Sequence, residues 1–111
     1  NNTLLSITNG DIQEIKADKQ PIGKAETYVE FTTHLLPLKK GDIYYLLSDG
    51  FADQFGGEKG KKYKLKNLKE FLLKISSLPL EEQKEKLETE FKNWKGNLEQ
   101  TDDVCIIGIK I

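Results

Sequence analysis

Apolar and polar positions alternate in two short runs near the start of the chain, Thr3-Leu4-Leu5-Ser6-Ile7-Thr8 and Asp11-Ile12-Gln13-Glu14-Ile15-Lys16, separated by Asn9-Gly10. A period of two marks half-buried strands, and Asn-Gly supplies the two positive φ angles a tight hairpin turn demands. Pro21-Ile22-Gly23 breaks the pattern and predicts a loop. Tyr28-Val29-Glu30-Phe31-Thr32-Thr33-His34-Leu35, rich in β-branched and aromatic residues, predicts a third strand. Pro37 to Asp42 is a turn, and Ile43-Tyr44-Tyr45-Leu46-Leu47 is an uninterrupted apolar run, of the kind expected of a strand buried on both faces. Phe51 to Lys64, with Gly56-Gly57, Gly60 and several lysines, predicts a mobile loop.

The period then changes to that of a helix. Leu65, Leu68, Leu72 and Ile75 recur at helical spacing, with Phe71 beside them. Ser77 is placed to cap a second helix whose first turn holds Glu81 and Glu82, and whose apolar stripe is Leu80, Leu87, Phe91 and Trp94. Lys95-Gly96-Asn97 stops it, and Val104 to Ile111 is the last strand. The expectation is an α+β chain of about five strands and two helices, without internal repeats.

Two helices between the fourth and last strands allow those strands to be neighbours. If they pair antiparallel, the C-terminal end of Ile43–Leu47 meets the N-terminal end of Val104–Ile111, and the acids just outside them, Asp49 and Asp102, stand on one edge. Carboxylates gathered on one edge repel, and a hard divalent cation removes that cost; Mg²⁺ and Mn²⁺ suit oxygen ligands, and Mg²⁺ keeps several waters. Gly50 fits backbone that turns sharply beside a ligand. The competing explanation is ordinary: Asp-Gly is a common turn pair, and Asp-Asp before a strand can simply start it. Asp42 belongs with the turn residues, Trp94 with the core, and His34 has no Cys or second His to join. Asp53 is either a neighbour of the acidic edge or a loop acid.

Composition narrows the function classes. Within 111 residues, 17 Lys and Arg balance 18 Asp and Glu, and no basic face points to nucleic acid. Seven lysines between Lys59 and Lys74 are interleaved with helix positions and predict a solvated face. The single Cys105, within Val104-Cys105-Ile106-Ile107, is expected to be a core thiol, consistent with a reducing, cytoplasmic compartment. No apolar run nears the ~18 residues of a membrane span, so no membrane contact is expected from this segment, although a parent protein could be anchored elsewhere. With no methionine and an Asn1-Asn2 start, the chain is expected to be a piece of a longer protein. No Ser-His-Asp set, phosphate-cradling Gly loop or zinc spacing is present, and no catalytic residue is assigned beyond metal ligands.

Pro37-Leu38-Lys39-Lys40-Gly41-Asp42-Ile43-Tyr44-Tyr45-Leu46-Leu47-Ser48-Asp49-Gly50-Phe51-Ala52-Asp53 resembles the "GD-hydrophobic-(S/T)DG" segment of PPM-type metal-dependent protein serine/threonine phosphatases, in the SpoIIE/RsbU branch. Gln100-Thr101-Asp102-Asp103-Val104-Cys105-Ile106-Ile107 resembles that branch's terminal Asp-Asp segment, and Asn9-Gly10 with Pro21-Ile22-Gly23 resembles its "NG … PIG" stretch. The resemblance implies a β-sandwich flanked by helices, of which residues 1–111 form the C-terminal half. It implies that Asp49 and Asp102 are ligands of the same ion in a pair of Mn²⁺ or Mg²⁺ ions, with Asp103 as the neighbour of Asp102 where related sequences often carry Asn, and Cys105 in place of the usual Thr. It implies a phosphoserine or phosphothreonine protein as substrate, such as an anti-sigma-factor antagonist in bacterial partner switching, and an upstream sensory or receiver domain. The family's remaining metal aspartates lie in the half that these residues do not include, so this segment alone is expected to be inactive. The alternatives are a non-catalytic module of the same fold that binds a partner protein, and an unrelated α+β binding domain whose acids are turn residues. A half sandwich would expose sheet surface, which predicts self-association.

Overall fold

The computed structural model describes residues 2–15 and 39–111; the strand expected over Tyr28–Leu35, the loop at Pro21-Ile22-Gly23 and His34 lie outside them. Strands β1 (Asn2–Thr8) and β2 (Asp11–Ile15) form the expected hairpin. Its turn residues Asn9 and Gly10 take φ of 52° and 81°, the left-handed pair a type I′ turn requires. β3 (Ile43–Ser48) pairs antiparallel with β1, and β6 (Ile106–Lys110) pairs antiparallel with β3, giving the order β2-β1-β3-β6. The pairing of β3 with the last strand, assumed from the sequence, is therefore the one observed, with Leu47 opposite Ile106. Asp42 is the expected turn residue: its carboxylate accepts the Lys39 N–H, and Ile111 N–H donates to its carbonyl, extending the β3–β6 ladder.

Helices α1 (Leu65–Ile75) and α2 (Leu80–Lys95) cover one face of this sheet. α1 buries Leu68, Leu72 and Ile75, and Lys69 on its flank reaches Glu14 of β2 at 3.5 Å. Ser77 does not cap α2. Pro79 holds that position with φ −56°, fixed by its ring, and Gln83 Nε2 donates to Leu78 O and Ser76 O to tie off the preceding turn. Glu81 and Glu82 in the first turn and Lys92 and Lys95 in the last complement the helix dipole.

Strand alternation sorts the sheet residues. Leu5, Ile7, Ile43, Tyr45 and Leu47 face the helices in one core with Phe51, Tyr63, Leu68, Leu72, Ile75 and Leu87. Leu46, Ile107 and Ile109 point the other way and stay 40%, 48% and 53% exposed. The expectation that Ile43–Leu47 is buried on both faces is thus corrected: Leu46 is 40% exposed, and among the described residues helices pack on one side only. The same alternation corrects Cys105, which falls in phase with Ile107 and Ile109 and is exposed, not a core thiol.

Phe51 to Lys64 is also more ordered than a mobile loop. It holds a small hairpin of β4 (Phe55–Gly56) and β5 (Lys61–Lys62), pinned by aromatic packing. Phe51 meets Tyr63 and Phe91 edge-on at 5.1 Å, and Tyr63 meets Trp94 at 5.3 Å. Trp94 is half-buried and packs against the core, as its place on the α2 stripe predicts.

Candidate functional site

Antiparallel pairing of β3 and β6 puts the turn after β3 and the segment before β6 at the same end of the sheet. Asp49 and Gly50 open that turn, which closes with Asp53 N–H donating to Asp49 O at 2.9 Å. Ser48 crosses to the other segment three times. Its N–H donates to Cys105 O at 2.9 Å, its Oγ donates to Asp103 O at 3.2 Å, and Cys105 N–H donates to that Oγ at 2.9 Å. Gly50 lies so close that a Cβ built on it would sit 2.1 Å from Asp103 O. A side chain there is excluded by backbone, which cannot swing away, so Gly50 is what lets the Asp49 and Asp102-Asp103 segments touch.

On this edge Asp49 is half-buried, while Asp102 and Asp103 are exposed. Asp102 is locally ordered: its Oδ1 accepts the Asp103 N–H at 2.7 Å and its carbonyl accepts from Gln100 Nε2 at 2.9 Å. Among the described residues no three His, Cys, Asp or Glu side chains converge as a complete metal cluster. The chemistry of the edge, acidic oxygens beside exposed backbone, fits a share of a coordination shell for a hard cation rather than the whole of one. Asp53 is exposed and 3.9 Å from Lys62, as a loop acid would be.

Sequence reasoning missed Gln54. It is completely buried, and its side-chain Nε2 donates to Glu99 O at 2.8 Å and Phe55 O at 3.0 Å. Its own carbonyl accepts from the Trp94 indole at 2.8 Å and from Tyr63 N–H at 3.0 Å. Trp94 comes this close because Gly56 has no side chain; a Cβ there would lie 2.0 Å from Trp94 O. The one local signal was an amide between Asp53 and an aromatic-glycine pair. Its partner at Glu99 is 45 residues away and leaves no trace in local spacing.

Beside the edge, a groove of ≈460 Å³ runs between α2 and the sheet, walled by Leu80, Leu87 and Phe91 on one side and by Val104 and Ile106 on the other. At its floor Tyr45 donates to Gln83 Oε1 at 2.6 Å. Burial pushes the Tyr45 hydroxyl up to about 12, and the Gln83 bond opposes part of that rise. The Tyr63 hydroxyl is also raised, by burial first and then by its bond to Glu90.

The antiparallel sheet with two helices on one face matches part of a PP2C domain. It superposes on the solved structure of the SiaA-PP2C domain of Pseudomonas aeruginosa with a TM-score of 0.82 and 29% sequence identity, over 99% of this chain and 43% of that one. The chain thus spans less than half the length of that structure. Residues 2–111 match the family of Stage II sporulation protein E (SpoIIE), and the chain belongs to that family, a branch of the generally metal-dependent PPM-type protein phosphatases. No curated protein matches it. No helix among the described residues is long and apolar enough to cross a membrane.

Proposed function

We propose that this chain is the C-terminal half of the phosphatase domain of a metal-dependent protein serine/threonine phosphatase, and that Asp49 and Asp102 are its contribution to the metal centre. One observation carries the reading: β3–β6 pairing and the bare Cα of Gly50 bring the Asp49-Gly50 and Asp102-Asp103 segments into backbone contact. Asp49 and Asp102 would offer carboxylate oxygens to Mn²⁺ or Mg²⁺ in a centre holding two ions in the complete domain. When bound, such ions neutralise phosphoryl charge and activate a water for in-line attack on phosphorus. Ser48 and Gly50 hold the backbones of the two acidic segments in register.

The substrate class we propose is a phosphoserine or phosphothreonine protein of a bacterial signalling switch, such as an anti-sigma-factor antagonist, met in the cytoplasm. An upstream sensory or receiver domain would set when the enzyme acts. The experiment is turnover of a small aryl phosphate with Mn²⁺. Asp49→Asn in the full-length protein is expected to lower the rate at least a hundredfold while thermal melting stays cooperative, and residues 1–111 alone are expected to be inactive. A near-normal rate for Asp49→Asn removes Asp49 from the metal centre. Normal folding with no Mn²⁺ binding in the unaltered full-length protein would favour a non-catalytic partner-binding module.

A further inference from the structure

We propose that Gln54 is a positioning residue: its buried amide clamps the segment carrying Asp102 to the turn carrying Asp49, and so sets the affinity of that edge for a divalent cation. The proposal rests on the metal-edge reading above. Asp102 is held from both sides. Downstream, Ser48 grips Asp103 and Cys105. Upstream, the tie to the Asp49 turn runs from Gln54 Nε2 to Glu99 O, at 2.8 Å. Among the described residues, Leu98 N–H to Lys95 O, Lys95 Nζ to Leu98 O and Gln100 Nε2 to Asp102 O close within the stretch itself, and Gly96 N–H to Lys92 O ties it to α2 rather than to the Asp49 turn.

Gln54 can act as a clamp because it is itself immobilised. Its N–H donates to Phe51 O at 3.2 Å, inside the turn that Asp49 opens, and its carbonyl is held by Trp94 and Tyr63. Its amide orientation is also determined. Turning the amide over would set Oε1 against the Phe55 and Glu99 carbonyls, so Nε2 must face them, and Oε1 is left buried with no hydrogen-bond partner among the described residues. A buried amide that leaves its acceptor unsatisfied in order to keep both donors bonded identifies those donor bonds as the ones the fold maintains.

Groups hydrogen-bonded directly to a metal's ligands commonly account for 10- to 100-fold in metal affinity when removed; Gln54 holds Glu99, three residues before Asp102, so the low end of that range applies. In the full-length protein, Gln54→Leu keeps the volume and removes the donors. Mn²⁺ binding, followed by the loss of the free-ion electron paramagnetic resonance signal, is expected to weaken at least tenfold at unchanged near-ultraviolet dichroism. The kcat lost at low Mn²⁺ is expected to return at saturating Mn²⁺, with KM for an aryl phosphate unchanged. Wild-type Mn²⁺ affinity in folded Gln54→Leu overturns the clamp. Asp49→Asn separates the two ideas: if it abolishes Mn²⁺ binding while Gln54→Leu does not, only the clamp fails, and if it binds Mn²⁺ normally, the metal reading fails and the clamp with it. Should Gln54→Leu not fold, Trp94→Phe keeps a ring in place but removes the donor that holds the Gln54 carbonyl. A several-fold loss of Mn²⁺ affinity in that variant supports the clamp, and an unchanged affinity overturns it.

Discussion

Gly50 shows how much of the acidic edge depends on a single missing atom. A Cβ there would meet Asp103 O at 2.1 Å and its carbonyl carbon at 2.7 Å, so Gly50→Ala has to part the two segments. We expect it to cost about 1–3 kcal/mol in urea unfolding, the usual range for overpacking against a rigid partner. The same substitution at Gly60, where a Cβ meets nothing within 4 Å, serves as the comparison, and its smaller loss comes from the positive φ alone. Gly50 has no positive φ, so a loss there no larger than at Gly60 would show that its close approach to Asp103 is relieved at little cost. Asp49-Gly50 and Asp102-Asp103 stood out in the sequence because acids and glycine at the ends of apolar runs are locally unusual. Gln54 did not, because a glutamine in a polar stretch looks like any surface residue until its burial is known.

At the scale of elements, the helical periods and the Asn-Gly hairpin were legible because they depend on neighbours within a turn or two. The start of α2 was placed wrongly for a local reason: Ser77 had the right chemistry for a cap, but Pro79 fixes the backbone two residues later. How α2 docks was not legible. Gln83 accepts a hydrogen bond from Tyr45 on β3 and donates two to the α1–α2 turn, joining three elements through one buried amide. This joint has a pH signature. The Tyr45 hydroxyl ionises at about 12 in the folded chain against an ordinary value of 10. Above that ordinary value the unfolded chain loses its proton while the folded chain keeps it, so alkali favours unfolding. The contribution of this tyrosine is expected to be flat through neutral pH and to fall from about pH 10 toward 12, at up to about 1.4 kcal/mol per pH unit. Tyr63, raised in the same direction, adds to the slope. Urea melts between pH 8 and 11 measure this, and Tyr45→Phe should reduce the alkaline slope while leaving the loss from Tyr63.

Across the whole molecule, the two faces of the sheet differ in what covers them. One packs on α1 and α2; the other presents Leu46 opposite Ile107, next to Ile109. A contiguous apolar strip of this kind is what association buries. Residues 1–111 alone are expected to self-associate with rising concentration, and replacing Leu46, Ile107 and Ile109 together by Thr should return the chain to a monomer by light scattering. A wild-type chain that stays monomeric at high concentration would show that the strip is tolerated in water.

The sequence by itself determined the hairpin turn, both helices, the run that became β3 and the acids at its end, because each is written in spacings of a few residues. It also carried the family's two acidic motifs in order. Tertiary structure alone decided that, among the described residues, β3 is covered by helices on one side only, that Cys105 faces outward, that Phe51 to Lys64 is pinned by Trp94, and that Gln54 reaches Glu99. Those outcomes depend on which distant segment arrives against a given face. Local periodicity says that a strand has two faces; only the packed chain says what lies against each.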